Sequence, residues 1–270
     1  MFYISDRTAI TAETIGHSLL AQFEGSPDYK EVTIPYIDTP EKAADVVAHI
    51  DAAAAADEET PLVFSTLADP QTRARITESP GLVFDLFHVF IEPLAAALGT
   101  EPVIKRTSSH RISNLSSYEA RIGAIDYSLQ HDDGARTKDY DNANIIMVGV
   151  SRSGKTPTCL YLAMQFGIRA ANYPITEEDL QTSQLPDPIA PYRDRLHGLT
   201  IDAKRLANIR EERRPASRYA SIERCRAEVR KVESLFKSFQ IPFINSTNTS
   251  VEEISTRVVQ TRGLDRHSVL

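Results

Sequence analysis

One eight-residue segment constrains the fold more than any other part of the sequence. It reads Gly149-Val150-Ser151-Arg152-Ser153-Gly154-Lys155-Thr156, and it fits the pattern G-x-x-x-x-G-K-[ST] in full. The segment follows the apolar run 145–148 and precedes a helical pattern, which is the order of strand, loop and helix that a phosphate-binding loop requires. The sequence therefore predicts a parallel α/β domain with a nucleotide-binding loop at residues 149–156.

Each residue type in this segment has a use in phosphate binding. Gly149 and Gly154 let the backbone curl so that its N–H groups converge on phosphate oxygens, and the following helix N-terminus adds positive potential. Lys155 can reach the terminal phosphates, and the Thr156 hydroxyl can ligate Mg²⁺. We expect all eight residues to contact a nucleotide and Lys155 to act in catalysis. The alternative is a glycine-rich strand-to-helix turn with an incidental lysine.

Short β-rich runs alternate with helix-length segments in the rest of the chain, as is typical of parallel sheets covered by helices. Strands are predicted at residues 2–5, 32–37, 62–67, 145–150, 170–173, 199–201 and 242–245. Helices are predicted at residues 11–23, 40–56, 116–130, 155–166, 203–213, 222–239 and 251–261, the last capped by Thr249 or Ser250. The apolar stretch 83–98 fits either element and is left open.

A shift in composition favours a domain boundary in the middle of the chain. Residues 105–144 are rich in Ser, Asn, Asp and Arg. We predict an N-terminal Rossmann-like or flavodoxin-like α/β domain at residues 1–140, including an interdomain segment, and a C-terminal P-loop kinase-like domain at residues 141–270. The active site is expected between the two domains.

Net charge and hydropathy exclude several classes of protein. The 270 residues include 30 Lys and Arg against 37 Asp and Glu, a net charge of −7, which argues against a dedicated nucleic-acid binder. No run approaches the roughly 18 apolar residues of a membrane span, and charges interrupt the N-terminus where a signal peptide is apolar. Cys159 and Cys225 show no metal-ligand or redox spacing. We expect a cytoplasmic globular protein, and the sequence leaves a homodimer open.

The segment from Gly149 to Pro174 resembles the kinase-pyrophosphorylase family, which includes the regulators of pyruvate phosphate dikinase. The resemblance covers essentially the whole chain. Further matching motifs lie at residues 2–6, 8–11, 120–122, 131–134, 197–202, 210–214, 217–220, 244–248 and 251–254. One position departs from the family pattern, which favours Gly where this chain has Arg7.

The resemblance implies a bifunctional enzyme that acts on phosphoenolpyruvate synthase as its protein partner. One activity is an ADP-dependent kinase that phosphorylates a threonine of the synthase, and the other uses inorganic phosphate to remove that phosphate as pyrophosphate. The loop by itself fits two other functions almost as well. These are an ATP-dependent small-molecule kinase and a non-catalytic switch protein that senses nucleotides.

A kinase of this kind needs a group that takes the proton of the attacking hydroxyl, and His131, Asp132 and Asp133 are the first candidates. An Asp-Gly pair at a helix end is also an ordinary turn signal. For Mg²⁺ we expect Asp202, which follows a predicted strand, as the partner of Thr156, with Asp6 as a second candidate. Asp202 could equally cap the helix that follows it.

Two basic segments could clamp phosphates or contact the partner. Residues 204–231 hold ten basic side chains against four acidic ones, and Arg213, Arg214 and Arg218 flank Pro215. The alternative is a solvated helix face with ion pairs along it. The second cluster consists of Lys105, Arg106, His110 and Arg111, for which a charged linker is the alternative.

Overall fold

A computed structural model describes residues 1–23, 29–102, 115–182, 184–215 and 217–264. The chain forms two compact units, Met1–Arg111 and Ile112–Leu270. This division lies within the segment 105–144 in which the composition shifts, before the predicted domain limit at residue 140, and the helix of residues 115–130 packs within the second unit. The basic cluster at residues 105–111 lies outside the described residues.

Unit 1 is a parallel four-stranded sheet with helices between its strands, as predicted. Its elements are β1 (Phe2–Ser5), α1 (Ile10–Leu20), β2 (Val32–Ile34), α2 (Pro40–Asp57), β3 (Leu62–Thr66), α3 (Pro70–Ile76), β4 (Leu82–Asp85) and α4 (His88–Leu98). The strand order is β2-β1-β3-β4. Apolar side chains are buried on both faces of this sheet, in one cluster with α2 and in another with α1.

Turn chemistry explains where the elements of unit 1 differ from the predicted ones. β2 ends at Ile34 rather than at residue 37, and Pro35, which follows, has no N–H to give to a sheet. The apolar stretch 83–98, which the sequence left as either helix or strand, forms most of β4 and all of α4. α3 was not predicted from the sequence, although Asp69 caps it through the Thr72 N–H (2.8 Å) and Pro70 occupies its first turn.

Arg7 stands where the family favours glycine, and it does not have a positive φ. Its N–H donates to Ser5 Oγ (3.1 Å), and its carbonyl accepts from the Tyr36 N–H (2.9 Å). The backbone at this turn therefore does not require glycine for conformational reasons.

Unit 2 repeats the strand order of unit 1, with a parallel sheet ordered β6-β5-β7-β8. Its elements are α5 (Leu115–Gln130), β5 (Ile145–Gly149), α6 (Lys155–Phe166), β6 (Ala170–Pro174), β7 (Leu196–Thr200), α7 (Ala203–Arg213), α8 (Ile222–Ser238), β8 (Phe243–Asn245) and α9 (Val251–Arg262). Short 3-10 turns join several of them, including Asp132–Gly134 and Arg218–Ala220. Two parallel sheets flanked by helices confirm the predicted α/β fold class.

Two apolar clusters cover the faces of the second sheet. α7 and α8 contribute to one, and α6 and α9 contribute to the other. β7 begins three residues earlier than predicted, at Leu196, and Gly198 within it packs so tightly that an added Cβ would lie 2.6 Å from the Phe236 ring. Of the two caps considered for α9, Ser250 accepts the Glu253 N–H (3.2 Å).

Candidate active site

The 149–156 loop lies at the carboxyl edge of the second sheet, between the end of β5 and the start of α6. The chain leaves β5 in one direction to form β6 and returns on the other side as β7, so the loop occupies the switch point where α/β sheets bind ligands. A Cβ at Gly149 would lie 2.3 Å from the Leu199 carbonyl oxygen, which only glycine avoids. Gly154 (φ +94°) and Arg152 (φ +75°) both adopt left-handed backbone conformations.

Lys155 is buried at the base of this loop, with only 4% of its surface exposed. Its Nζ donates to the Val150 carbonyl oxygen (3.0 Å). Burial lowers the pKa of the lysine to about 8, and the nearby Asp133, Cys159 and Asp132 oppose this shift. Because a charged lysine is costly in such a site, the position is prepared to receive an anion.

Three segments meet beside Lys155, and they place Asp132, one of the predicted catalytic candidates, next to Thr156. The Thr156 hydroxyl donates to Asp132 Oδ1 (2.7 Å), and the amide nitrogen of Asn172 on β6 donates to the same oxygen. Asn172 in turn accepts the N–H of Asp133 (3.0 Å) through its Oδ1. The fully buried Asn172 therefore fixes the 132–134 turn against the loop.

The two aspartates of this turn have different surroundings. Asp132 is partly buried and held by Thr156 and Asn172. Asp133 has a positive φ of 47°, and its side chain is exposed, with no hydrogen bond to another side chain in the described part of the chain. Its negative charge lies close enough to Lys155 to raise the pKa of that lysine. Asp133 is thus the carboxylate of the pair that is available to a ligand.

His131, the third catalytic candidate of this segment, faces the interior. Its Nδ1 donates to the Tyr127 carbonyl oxygen (2.7 Å), and its ring stacks on that of Tyr127 with 3.9 Å between centroids. The side chain is almost fully buried, and Nε2 has no hydrogen-bond partner among the described atoms. Packing accounts for this position without a contact to substrate, and a catalytic role stays a prediction.

Asp202 caps α7, which is one of the two roles considered for it. Its Oδ1 accepts the N–H groups of Lys204 (2.9 Å) and Arg205 (3.1 Å). Asp6 lies in unit 1, after β1. Within the described ranges, Asp132 is the carboxylate that bonds Thr156, and no group of three or more His, Cys, Asp or Glu side chains could hold a metal ion. Metal roles for Thr156 and Asp202 stay predictions.

One arginine of the basic segment 204–231 is buried against the 149–156 loop instead of being exposed to solvent. Arg210 is fully buried and forms an ion pair with Glu228 (2.7 Å), while its Nη2 also donates to the Ser151 carbonyl oxygen (3.2 Å). Arg213, Arg214 and Arg218 are exposed, as a clamp or a solvated surface would require. A count of basic residues in the sequence does not separate the buried Arg210 from these exposed arginines.

Two other side chains that contact the 149–156 loop were not predicted from the sequence. The Tyr219 hydroxyl donates to Ser151 Oγ (3.0 Å), and its ring lies 4.0 Å from the Arg210 guanidinium carbon. The Ser246 hydroxyl donates to the Ser153 carbonyl oxygen (2.8 Å). Both residues fall in motifs of the family resemblance, at 217–220 and 244–248, and this was the available signal.

The residues of the site fit a nucleotide phosphate and a magnesium ion. Gly149 leaves no room for a side chain, and the buried Lys155 supplies a cation at the helix N-terminus. Thr156 Oγ1 and Asp132 Oδ1 form a pair of oxygen donors, which suits Mg²⁺ because this ion binds one or two carboxylates together with phosphate oxygens.

The fold and site together define a parallel α/β protein with a glycine-rich loop at a helix N-terminus. A family model described as kinase/pyrophosphorylase matches residues 1–259. The chain therefore belongs to the kinase/pyrophosphorylase family, which confirms the resemblance noted in its motifs.

Relatives from three genera match nearly the full chain. A protein of Marinobacter nauticus is 51% identical over 98% of this chain and 98% of its own length. One from Hahella chejuensis is 51% identical over 98% and 97%, and one from Legionella pneumophila (strain Lens) is 52% identical over 98% and 98%. All three bear the name "Putative phosphoenolpyruvate synthase regulatory protein". Among the helices that the structure describes, none combines the length and the apolar composition that a membrane span needs.

Proposed function

We propose that this protein regulates phosphoenolpyruvate synthase by two opposed phosphotransfer reactions. One is ADP-dependent phosphorylation of a threonine of the synthase, and the other is phosphate-dependent removal of that group as pyrophosphate. Membership of the kinase/pyrophosphorylase family and the names of the relatives support this proposal. The observation that carries it is the meeting of Lys155, Thr156 and the 132–133 carboxylates at one edge of the second sheet.

In the kinase direction, the 149–156 loop holds the terminal phosphate of ADP, and Lys155 exchanges the Val150 carbonyl for a phosphate oxygen. The threonine oxygen forms a bond to the β-phosphorus, the bond from that phosphorus to the bridging oxygen breaks, and AMP leaves. The threonine proton passes to the Asp133 carboxylate, which is exposed beside Lys155. Thr156 and Asp132 would hold Mg²⁺, which neutralises charge on the phosphates when bound.

In the dephosphorylation reaction, the same loop holds inorganic phosphate as the attacking group. A phosphate oxygen forms a bond to the phosphorus of phosphothreonine, and the bond to the threonine oxygen breaks to give pyrophosphate. Protonated Asp133 gives its proton to the departing threonine oxygen, which is the counterpart of its role as the base in the kinase reaction. One anion-binding loop and one carboxylate therefore support both reactions.

Labelled nucleotides test the proposal against the two other functions. The protein is incubated with phosphoenolpyruvate synthase and ADP labelled at the β-phosphate, and inorganic phosphate is added afterwards. We expect label on the synthase, followed by its release as pyrophosphate. Labelling of a small metabolite from ATP would support a small-molecule kinase, and nucleotide binding without any transfer would support a switch protein. Faster phosphorylation of the synthase from ATP than from ADP would refute the proposed donor.

Paired variants test the role of the carboxylates. Asp133→Asn should retain fold and ADP affinity but lower kcat by a factor of about 10² to 10⁴, the usual contribution of a general base. Asp132→Asn removes the charge beside Thr156 and should weaken the dependence on Mg²⁺ as well as the rate. Full activity of Asp133→Asn would exclude it as the base.

A further inference from the structure

Two carbonyl groups of the 149–156 loop are held from outside the loop. The Arg210 guanidinium donates to the carbonyl oxygen of Ser151 (3.2 Å), and the Ser246 hydroxyl donates to that of Ser153 (2.8 Å). The donors come from different elements, since Arg210 lies on α7 and Ser246 directly follows β8. Alternate peptide groups of the loop are therefore oriented by side chains distant in sequence.

Both anchored peptides are followed by a residue in the left-handed region. Arg152 has a φ of +75° and Gly154 a φ of +94°. In a trans peptide, the carbonyl and the next N–H point in opposite directions, so the N–H groups of Arg152 and Gly154 point away from the two anchors. Neither N–H donates a hydrogen bond in the described part of the chain, whereas the N–H of Ser153 between them bonds the Val150 carbonyl (3.3 Å).

We propose that Arg210 and Ser246 are positioning residues that turn the N–H groups of Arg152 and Gly154 toward a bound phosphate. Successive backbone N–H groups that converge in alternating left- and right-handed conformations form an anion-binding nest. The ligand is the terminal phosphate of a nucleoside diphosphate or of pyrophosphate. The inference rests on the proposed function for the identity of this anion.

The anchors are themselves fixed, which allows them to define the peptide orientation. Arg210 is only 1% exposed, pairs with Glu228, and donates to the Tyr219 carbonyl oxygen (3.2 Å). Glu228 is held in turn by Arg224 (2.8 Å). Because the guanidinium has its orientation set by these partners, it can hold the Ser151 carbonyl in one direction.

Ser246 has a comparable support from the neighbouring strand. Its N–H donates to the Thr200 carbonyl oxygen (2.9 Å), and its hydroxyl shares its proton between that oxygen (3.1 Å) and the Ser153 carbonyl oxygen. Without an anchor, the peptide before a left-handed residue can turn over, and a carbonyl oxygen would then face the phosphate. Anchoring before the ligand arrives lowers the cost of ordering the loop.

Substitution of Ser246 gives the cleanest test. Ser246→Ala removes one anchor, and Thr249→Ala is the matched control, because Thr249 bonds the Asn245 carbonyl (3.0 Å) in the same turn. Calorimetry with ADP and with pyrophosphate should show a three- to tenfold loss of affinity for both ligands in Ser246→Ala, about the effect of one hydrogen bond. Ser246→Thr keeps a hydroxyl and should retain affinity. The thermal midpoint of Ser246→Ala should match that of Thr249→Ala.

A second variant tests the anchor on α7 without leaving a buried charge. Arg210→Gln combined with Glu228→Gln removes the ion pair and the fork that holds Ser151, and the same loss of affinity for both ligands is expected. Wild-type affinity for pyrophosphate in Ser246→Ala would overturn the inference alone. Failure of the unmodified protein to bind either ADP or pyrophosphate would overturn the proposed function as well.

Discussion

Binding of ADP should draw a proton onto Lys155. Burial lowers the pKa of this lysine to about 8 in the free protein, from an ordinary value of 10.5. A phosphate against Nζ favours the charged form, because an opposite charge at short range raises the pKa of a lysine. With a bound pKa restored to the ordinary value, proton uptake per ADP is about 0.1 at pH 7, about 0.5 at pH 8 and about 0.9 at pH 9.

Calorimetry in pairs of buffers with contrasting ionisation enthalpies measures this uptake directly. The phosphate groups of ADP are fully ionised above about pH 8, so they contribute little there. Lys155→Arg is the matched control, because a guanidinium stays charged throughout this pH range and should take up no proton. Equal uptake by the unmodified protein and by Lys155→Arg at pH 9 would refute the argument that Lys155 is partly neutral before the ligand arrives.

Four substitutions in unit 2 have stability effects of predictable sign. Lys155→Met should raise the free energy of unfolding at pH 7 by about 3 kcal/mol in urea titrations. This gain shrinks as the pH rises from about 8 to 10.5, because the unfolded lysine then loses its proton too. Gly149→Ala should lower the free energy of unfolding by more than about 3 kcal/mol, because its Cβ meets the Leu199 carbonyl. Gly154→Ala has free space for the Cβ and should lose only about 1 to 2 kcal/mol through backbone strain. Equal stabilities of the two variants would contradict this order. Burial lowers the pKa of His197 to about 4, so unfolding takes up a proton between pH 6.5 and 4. The free energy of unfolding should therefore fall by about 2 to 3 kcal/mol on acidification to pH 4.5. In urea titrations of His197→Leu, the loss of stability on acidification should be smaller by this amount.

Local signals in the sequence were sufficient for most of the fold. The apolar run before Gly149, the helical pattern after it and the caps of the helices depend on neighbouring residues, and those elements lie where expected. β7 was predicted too short because His197 and Gly198 interrupt its apolar character. This part of the strand is buried, and Gly198 packs against Phe236 in a tertiary contact that the local sequence does not reveal.

The site was less accessible to sequence reasoning than the fold. Residue types in the loop predict phosphate binding, but the bond from Thr156 to Asp132 depends on how Asn172 joins two segments about 40 positions apart. Arg210 illustrates the same limit, because a count of basic residues does not show which face of a helix is buried. Contacts between distant segments therefore decide which of the predicted candidates meet.

The arrangement of the loop also bears on how two opposed reactions can be balanced in one protein. Under the proposed function, ADP and inorganic phosphate both place an anion against Lys155 and the N–H groups of Arg152 and Gly154. Two ligands that need the same donors exclude each other, so raising one lowers the occupancy of the other by mass action. Which of the two reactions predominates then follows from the relative concentrations of ADP and phosphate, and from whether the threonine is phosphorylated. No conformational switch between two separate sites is needed.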